Sequence, residues 1–112
     1  GLANALLLRH VIQFNSRDFA VRAKYARLSK LCGLANFQSA DEYCVTSLIT
    51  HLHNLMKQVN VVDNLSALNI AREQVMTAEN AMITAALQDA CLSTNPVTVS
   101  GTDIRAILRA II

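Results

Sequence analysis

The chain has little of what breaks a helix. Of its 112 residues, proline stands only at Pro96 and glycine only at Gly1, Gly33 and Gly101. With so few breakers among many Ala and Leu, helices are the expected structure. Three scattered glycines also exclude a GxGxxG phosphate loop. Cysteine is scarce and odd in number, at Cys32, Cys44 and Cys91, and none forms a CxxC. A disulfide framework is therefore not expected, and reduced thiols in a cytoplasmic compartment are the simplest reading. Charge is sparse, at 16% of residues with a net +2. Nucleic-acid and anionic-membrane proteins usually carry a stronger basic excess, so neither partner is expected. Long apolar runs are missing as well. The longest stretch without Asp, Glu, Lys or Arg runs from Tyr43 to Met56 and contains His51, His53 and Asn54. A membrane-spanning helix needs about 20 mostly apolar residues. No basic region precedes an apolar run and a small-residue cleavage site, so no secretory signal is visible.

Apolar residues make up 53% of the chain, which suits one domain with one modest core. The chain opens on GLANALLL, already inside an apolar helix. Such a start is expected of a cut made within a larger protein. The first helix should cover Leu2 to Phe14, with Leu2, Leu6, Leu7, Leu8, Val11, Ile12 and Phe14 on nearly every side of it. A helix apolar all round is one buried all round. A domain this small has little mass to bury it with, so its uncovered face is expected to drive self-association.

Asn15 or Ser16 could cap a second helix from Asp18 to Cys32, with Gly33 at the left-handed stop. Ser39-Ala40-Asp41-Glu42 matches a capping box for a third helix, Ala40 to Gln58. NLSALN reads as one short turn and Ala71 to Val75 as another. A longer helix from Thr77 to Cys91 should be stopped by Ser93 to Pro96. Ser100, with Asp103 three residues on, should cap a last helix running to the end. Period-2 alternation appears only briefly, in VTV. The expected fold is all-α, with about five to six helices.

Local constellations for chemistry are weak. His51 and His53 sit about 200° apart on a helix and cannot chelate one ion. They read as polar positions on a half-exposed helix. His10 reads as a histidine hydrogen-bonded inside the fold rather than a catalytic one. Arg17, Arg22, Lys24, Arg27 and Lys30 lack interleaved aromatics, and a solvated outer face is preferred to a nucleic-acid face. The three methionines read as core filler. Cys91 has two readings, a small buried hydrophobe or a residue lining a pocket at a helix end.

Several stretches resemble the C-terminal helical domain of iron-containing alcohol dehydrogenases, a dehydroquinate-synthase-like fold. In GLANALLLRHVIQFN, the residues Gly1, Ala3, Asn4, Ala5, Leu7, Leu8, His10, Val11, Phe14 and Asn15 stand where that family's pattern puts them. KYARLSKLCG is similar to its next helix. ALQDACLSTNP is similar to its Asp-x-Cys-x-x-x-Asn-Pro signature, at Asp89, Cys91, Asn95 and Pro96. VSGTDIRAILRAII looks like its closing helix. Arg9 departs from the pattern, which usually has proline there, and so does Val97, where arginine is common.

The resemblance implies an oxidoreductase that interconverts a short-chain primary alcohol and its aldehyde, in the propanol- and ethanol-oxidising branch. It implies NAD on an N-terminal nucleotide-binding domain that this chain lacks. It also implies divalent iron, or zinc, held by an aspartate and three histidines, the last standing immediately before Gly1. No ligand is carried by this chain on that reading, and His10 is not one. The metal would polarise the alcohol oxygen for hydride transfer. The chain would supply scaffold and pocket wall, with Cys91 near the substrate, and would be inactive alone. Two other readings stay open: a free-standing helical interaction module, and a nucleic-acid binder using Arg17 to Lys30.

Overall fold

The computed structural model describes residues 1–112. It contains five α-helices, two short 3-10 turns and no strand. The helices are α1 (Leu2–Asn15), α2 (Phe19–Leu31), α3 (Asp41–Gln58), α4 (Arg72–Gln88) and α5 (Gly101–Ala110). The 3-10 turns are Ser66–Leu68 and Ala90–Thr94. The helices group into two units, Gly1–Val61 and Val62–Ile112. None of them is long and apolar enough to cross a membrane.

In the first unit α3 packs against both α1 and α2. Ile12, Val45 and Leu48 form its buried centre, with Tyr25, Leu34, Ile49 and Leu52 packed around them. Small side chains let α2 and α3 approach closely. Ala26 and Ser29 of α2 and Cys44 of α3 are almost wholly buried. Asn15, at the end of α1, is also buried, and its Nδ2 donates to the Tyr25 hydroxyl at 3.3 Å.

The expectation that α1 keeps an uncovered apolar face in this chain is met. Leu6, Ile12 and Phe14 are buried, but Leu2 and Leu8 stay 44% and 45% exposed. α1 packs against α3.

The helix starts differ from the expected ones in two places. The cap of α2 is Asp18, whose carboxylate accepts from the Val21 N–H at 3.0 Å. Ser16 lies two residues before the cap position, and its hydroxyl donates to the Ile12 carbonyl at 2.6 Å. The Ser39–Glu42 box does not form either. The N-cap of α3 is Ala40, one residue later, without a side-chain cap. Glu42 turns instead to Arg22. Gly33 follows α2 at φ +73°, a left-handed stop that a side chain would strain.

In the second unit α4 and α5 pack together, burying Val75, Ile83, Leu108 and Ile111. The expected separate turn over Ala71 to Val75 is instead the first part of α4, continuous to Gln88. The Gln74 side-chain oxygen accepts from the Ala71 N–H at 2.7 Å and fixes that start. The expected end at Cys91 is also corrected. Asp89 is extended and α4 stops at Gln88, so Cys91 belongs to the following 3-10 turn. The Ser100–Asp103 capping box forms as expected. Next to it, a Cβ added to Gly101 would lie 3.3 Å from Ile83 Cγ2, so α5 approaches α4 closely there. The Leu65 N–H donates to the Ile111 carbonyl at 2.7 Å, tying the chain after α3 to the end of α5.

Candidate functional site

The segment Asp89 to Val99 is held by its own side chains. Asp89 Oδ1 accepts from the Cys91 N–H at 2.7 Å, which starts the 3-10 turn. Ser93 donates to the Ala90 carbonyl at 2.8 Å and Thr94 to the Cys91 carbonyl at 2.7 Å. Asn95 Nδ2 then reaches forward to the Val97 carbonyl at 2.8 Å, across Pro96. Asp89, Ser93, Thr94 and Asn95 thereby set the backbone, which suits a loop that must keep one shape.

Beside this segment lies an open hollow of about 340 Å³. Leu87, Leu92, Val97 and Val99 give it an apolar wall, and Asp89 and Thr98 stand on its polar part. No cation lines it. The Cys91 thiol is free and exposed on the turn next to it. The buried-hydrophobe reading of Cys91 is therefore corrected; Cys44 is the fully buried cysteine.

The three histidines do not converge. His10 is half-buried on α1, His51 is exposed on α3 and His53 is half-buried on α3. His53 Nδ1 is a buried atom without a hydrogen-bond partner. No group of three His, Cys, Asp or Glu comes together that could hold a metal ion. A resident iron or zinc site does not fit the donors this chain presents, because a protein metal site needs three or four ligands at one point.

The basic segment is only partly a solvated face. Lys24 and Arg27 are exposed. Arg22 instead donates through Nε to the Ser16 carbonyl at 2.8 Å and through Nη1 to Glu42 at 2.9 Å. It thus ties the end of α1 to the first turn of α3. The Glu42 carboxyl is held below its ordinary value first by its own backbone N–H and then by Arg22. Lys30 lies 4.0 Å from Asp41, and the Arg17 guanidinium sits 4.0 Å from the Phe14 ring centre.

Sequence reading missed one cluster altogether. Glu79 of α4 is buried and takes a forked pair of bonds from Arg109 of α5, at 2.8 and 3.2 Å. Arg105 adds an ion pair at 3.5 Å. The Arg109 bond, followed by the charges of Arg109 and Arg105, lowers the Glu79 pKa against the opposing effect of burial. The same bond keeps Arg109 more firmly protonated. The signal available was the i, i+4 pair Arg105 and Arg109 on one face of α5. Nothing local points from there to a carboxylate 30 positions away.

The model of the Fe-containing alcohol dehydrogenase family, C-terminal part, matches residues 1–112. The 1-propanol dehydrogenase PduQ of Citrobacter freundii is 41% identical over 96 residues, covering 86% of this chain and 26% of that protein. Its Salmonella typhimurium counterpart is 38% identical over 113 residues, covering 100% of this chain and 30% of that protein. The NADPH-dependent butanol dehydrogenase of Clostridium saccharobutylicum is 29% identical over 111 residues, covering 99% and 28%. The chain thus spans less than a third of the length of these relatives.

Proposed function

Because the chain belongs to the Fe-containing alcohol dehydrogenase family, we propose that it works as the C-terminal helical domain of an alcohol oxidoreductase. On this reading the whole enzyme interconverts a short-chain primary alcohol and its aldehyde with a nicotinamide cofactor, NAD in our reading, and a divalent metal, iron or zinc. It would work in the cytoplasm. The observation that carries the proposal is the family match across every residue of the chain. The identity to two propanol dehydrogenases favours a small, neutral alcohol. The hollow beside Asp89 to Val99 agrees with that, since Leu87, Leu92, Val97 and Val99 stand beside Asp89, Ser93, Asn95 and Thr98 in its lining and no cation stands ready for an anionic substrate.

The nicotinamide would be held by an N-terminal nucleotide-binding domain, and the metal by an aspartate and three histidines, the last immediately before Gly1, not by these residues. This domain contributes the frame and one wall of the pocket. Cys91 is the residue we assign to that wall, presented by the Asp89-capped turn. The half-exposed side of α1, with Leu2 and Leu8, is the surface we assign to contact with the other domain.

A chimera tests the reading. The C-terminal quarter of the Citrobacter freundii propanol dehydrogenase is replaced by this chain, and alcohol-dependent NAD reduction is measured with and without iron. We expect metal-dependent turnover of 1-propanol. A folded chimera that binds NAD but never turns over would overturn the proposal. In an active chimera, Cys91→Phe should raise KM for 1-butanol more than for ethanol, because a larger wall crowds the longer chain. Equal KM changes for the two alcohols would remove Cys91 from the pocket.

A further inference from the structure

The Glu79 cluster holds more cation than it needs. One carboxylate of α4 faces two guanidiniums of α5, so the group keeps a net positive charge. The Glu79 side chain is only 8% exposed, whereas those of Arg105 and Arg109 are 44% and 45% exposed. The carboxylate therefore anchors the arginines from beneath, and their outer edges meet solvent. None of these side chains lines the hollow beside Asp89 to Val99.

The bonds show which donors remain. Arg109 gives its Nε and Nη2 to the two oxygens of Glu79. Arg105 places Nε 3.5 Å from Glu79 Oε2 and gives Nη2 to Asn80 Oδ1 at 3.2 Å. The Nη1 group of each guanidinium makes no bond within the chain, and neither arginine pairs with another carboxylate. The two residues stand one turn apart on the same side of α5, with Cβ atoms about 6 Å apart. Stability alone does not account for this arrangement. A buried ion pair can often be replaced by packed apolar side chains without loss, so it is weak evidence of a stabilising role. One arginine would also suffice to neutralise Glu79. The shared anchor and the second guanidinium add two oriented planar forks with charge to spare.

We propose that Arg105 and Arg109 bind a phosphate group, as free phosphate or as the monoester of a small molecule, with Glu79 and Asn80 as positioning residues. A phosphate dianion has enough oxygens to accept from both guanidiniums at once, and such charge-assisted bonds are the strong ones. A carboxylate has only two oxygens and fully engages one fork. The site stands apart from the dehydrogenase reading and does not depend on it.

The test is a heteronuclear NMR titration of the purified chain with inorganic phosphate at low salt, following the arginine side-chain N–H signals. Backbone spectra show that each variant is folded. We expect saturable shifts at Arg105 and Arg109, and binding of acetate about tenfold weaker. Arg105→Lys and Arg109→Lys keep the charge but lose the fork, and each should weaken phosphate binding about fivefold. Glu79→Gln separates orientation from charge. It makes the cluster more positive, so a purely Coulombic patch would bind phosphate more tightly; the proposal predicts binding about fivefold weaker, because the forks lose their anchor. Asn80→Ala, at an exposed position, leaves the charge unchanged and gives the same reading if Glu79→Gln does not fold. Adenosine monophosphate identifies the source: binding tighter than that of inorganic phosphate assigns the site to a monoester, and equal or weaker binding assigns it to free phosphate. The proposal is overturned if neither arginine shows a saturable shift, or if acetate binds as well as phosphate. It is also overturned if Glu79→Gln, or Asn80→Ala in its place, binds phosphate as tightly as the parent or more so.

Discussion

The hydroxyl of Ser29 is wholly buried between α2 and α3 and has no hydrogen-bond partner. A buried polar group left unsatisfied costs about 1–3 kcal/mol, and alanine fills nearly the same space. Ser29→Ala should therefore raise stability by about 1 kcal/mol in urea denaturation; a loss of similar size would mean the hydroxyl is satisfied in solution. Glu79 gives a prediction about pH. Its folded-state pKa lies below the ordinary 4.5, first through the Arg109 bond. A depressed carboxyl adds stability that is complete above the unfolded value and is lost as pH falls through the folded one. Glu79→Gln should be less stable than the parent at neutral pH, and the gap should close in acid. Parallel stability curves for the two proteins would contradict this. Residues of this kind were not legible in the sequence, because burial and a partner 30 positions away are tertiary facts. Gly33 was legible, since a left-handed stop is written in the residue itself. Cys91 was half legible. Its type and loop setting could be read, but its exposure depended on where α4 stops.

At the scale of elements, signals worked where cap and helix face are neighbours in sequence. The Ser100–Asp103 box is one such signal, with the Asp103 N–H donating to Ser100 at 3.2 Å and the Ser100 N–H to Asp103 at 2.9 Å. Ser100→Ala should cost about 1 kcal/mol, read as faster hydrogen exchange in the first turn of α5. Unchanged exchange there would mean that packing alone holds the helix. The failures are physical too. Ser39 and Glu42 have the spacing of a box, yet Arg22 of α2 competes for Glu42 and wins with a 2.9 Å ion pair. Arg72 to Gln88 read as two pieces because its apolar pattern is thin near the start, but nothing there breaks a helix. Once Gln74 caps Ala71, propagation is easier than a second nucleation. The stop at Gln88 came from Asp89, whose side chain binds the Cys91 N–H. Aspartate competes in this way with a helix it would otherwise extend.

At the scale of the molecule, an all-α fold followed directly from the lack of breakers, while the two-unit grouping shows in composition only as charge, seven cations against three carboxylates in residues 1–61 and three against five in residues 62–112. The many exposed apolar side chains, Phe19, Leu31, Phe37 and Tyr43 among them, fit a domain whose function depends on partners. The histidines are dispersed, and no group of three His, Cys, Asp or Glu comes together that could hold a metal ion. The claim beneath all of this is that these residues frame a reaction whose metal and cofactor are held elsewhere. It is tested by loading the purified 112-residue chain with ferrous iron or zinc, dialysing it, measuring retained metal, and following NADH formation with 1-propanol and NAD. We expect metal at the level of a histidine-free control protein and no propanol-dependent NADH. One metal ion retained per chain, together with steady NADH formation, would contradict it.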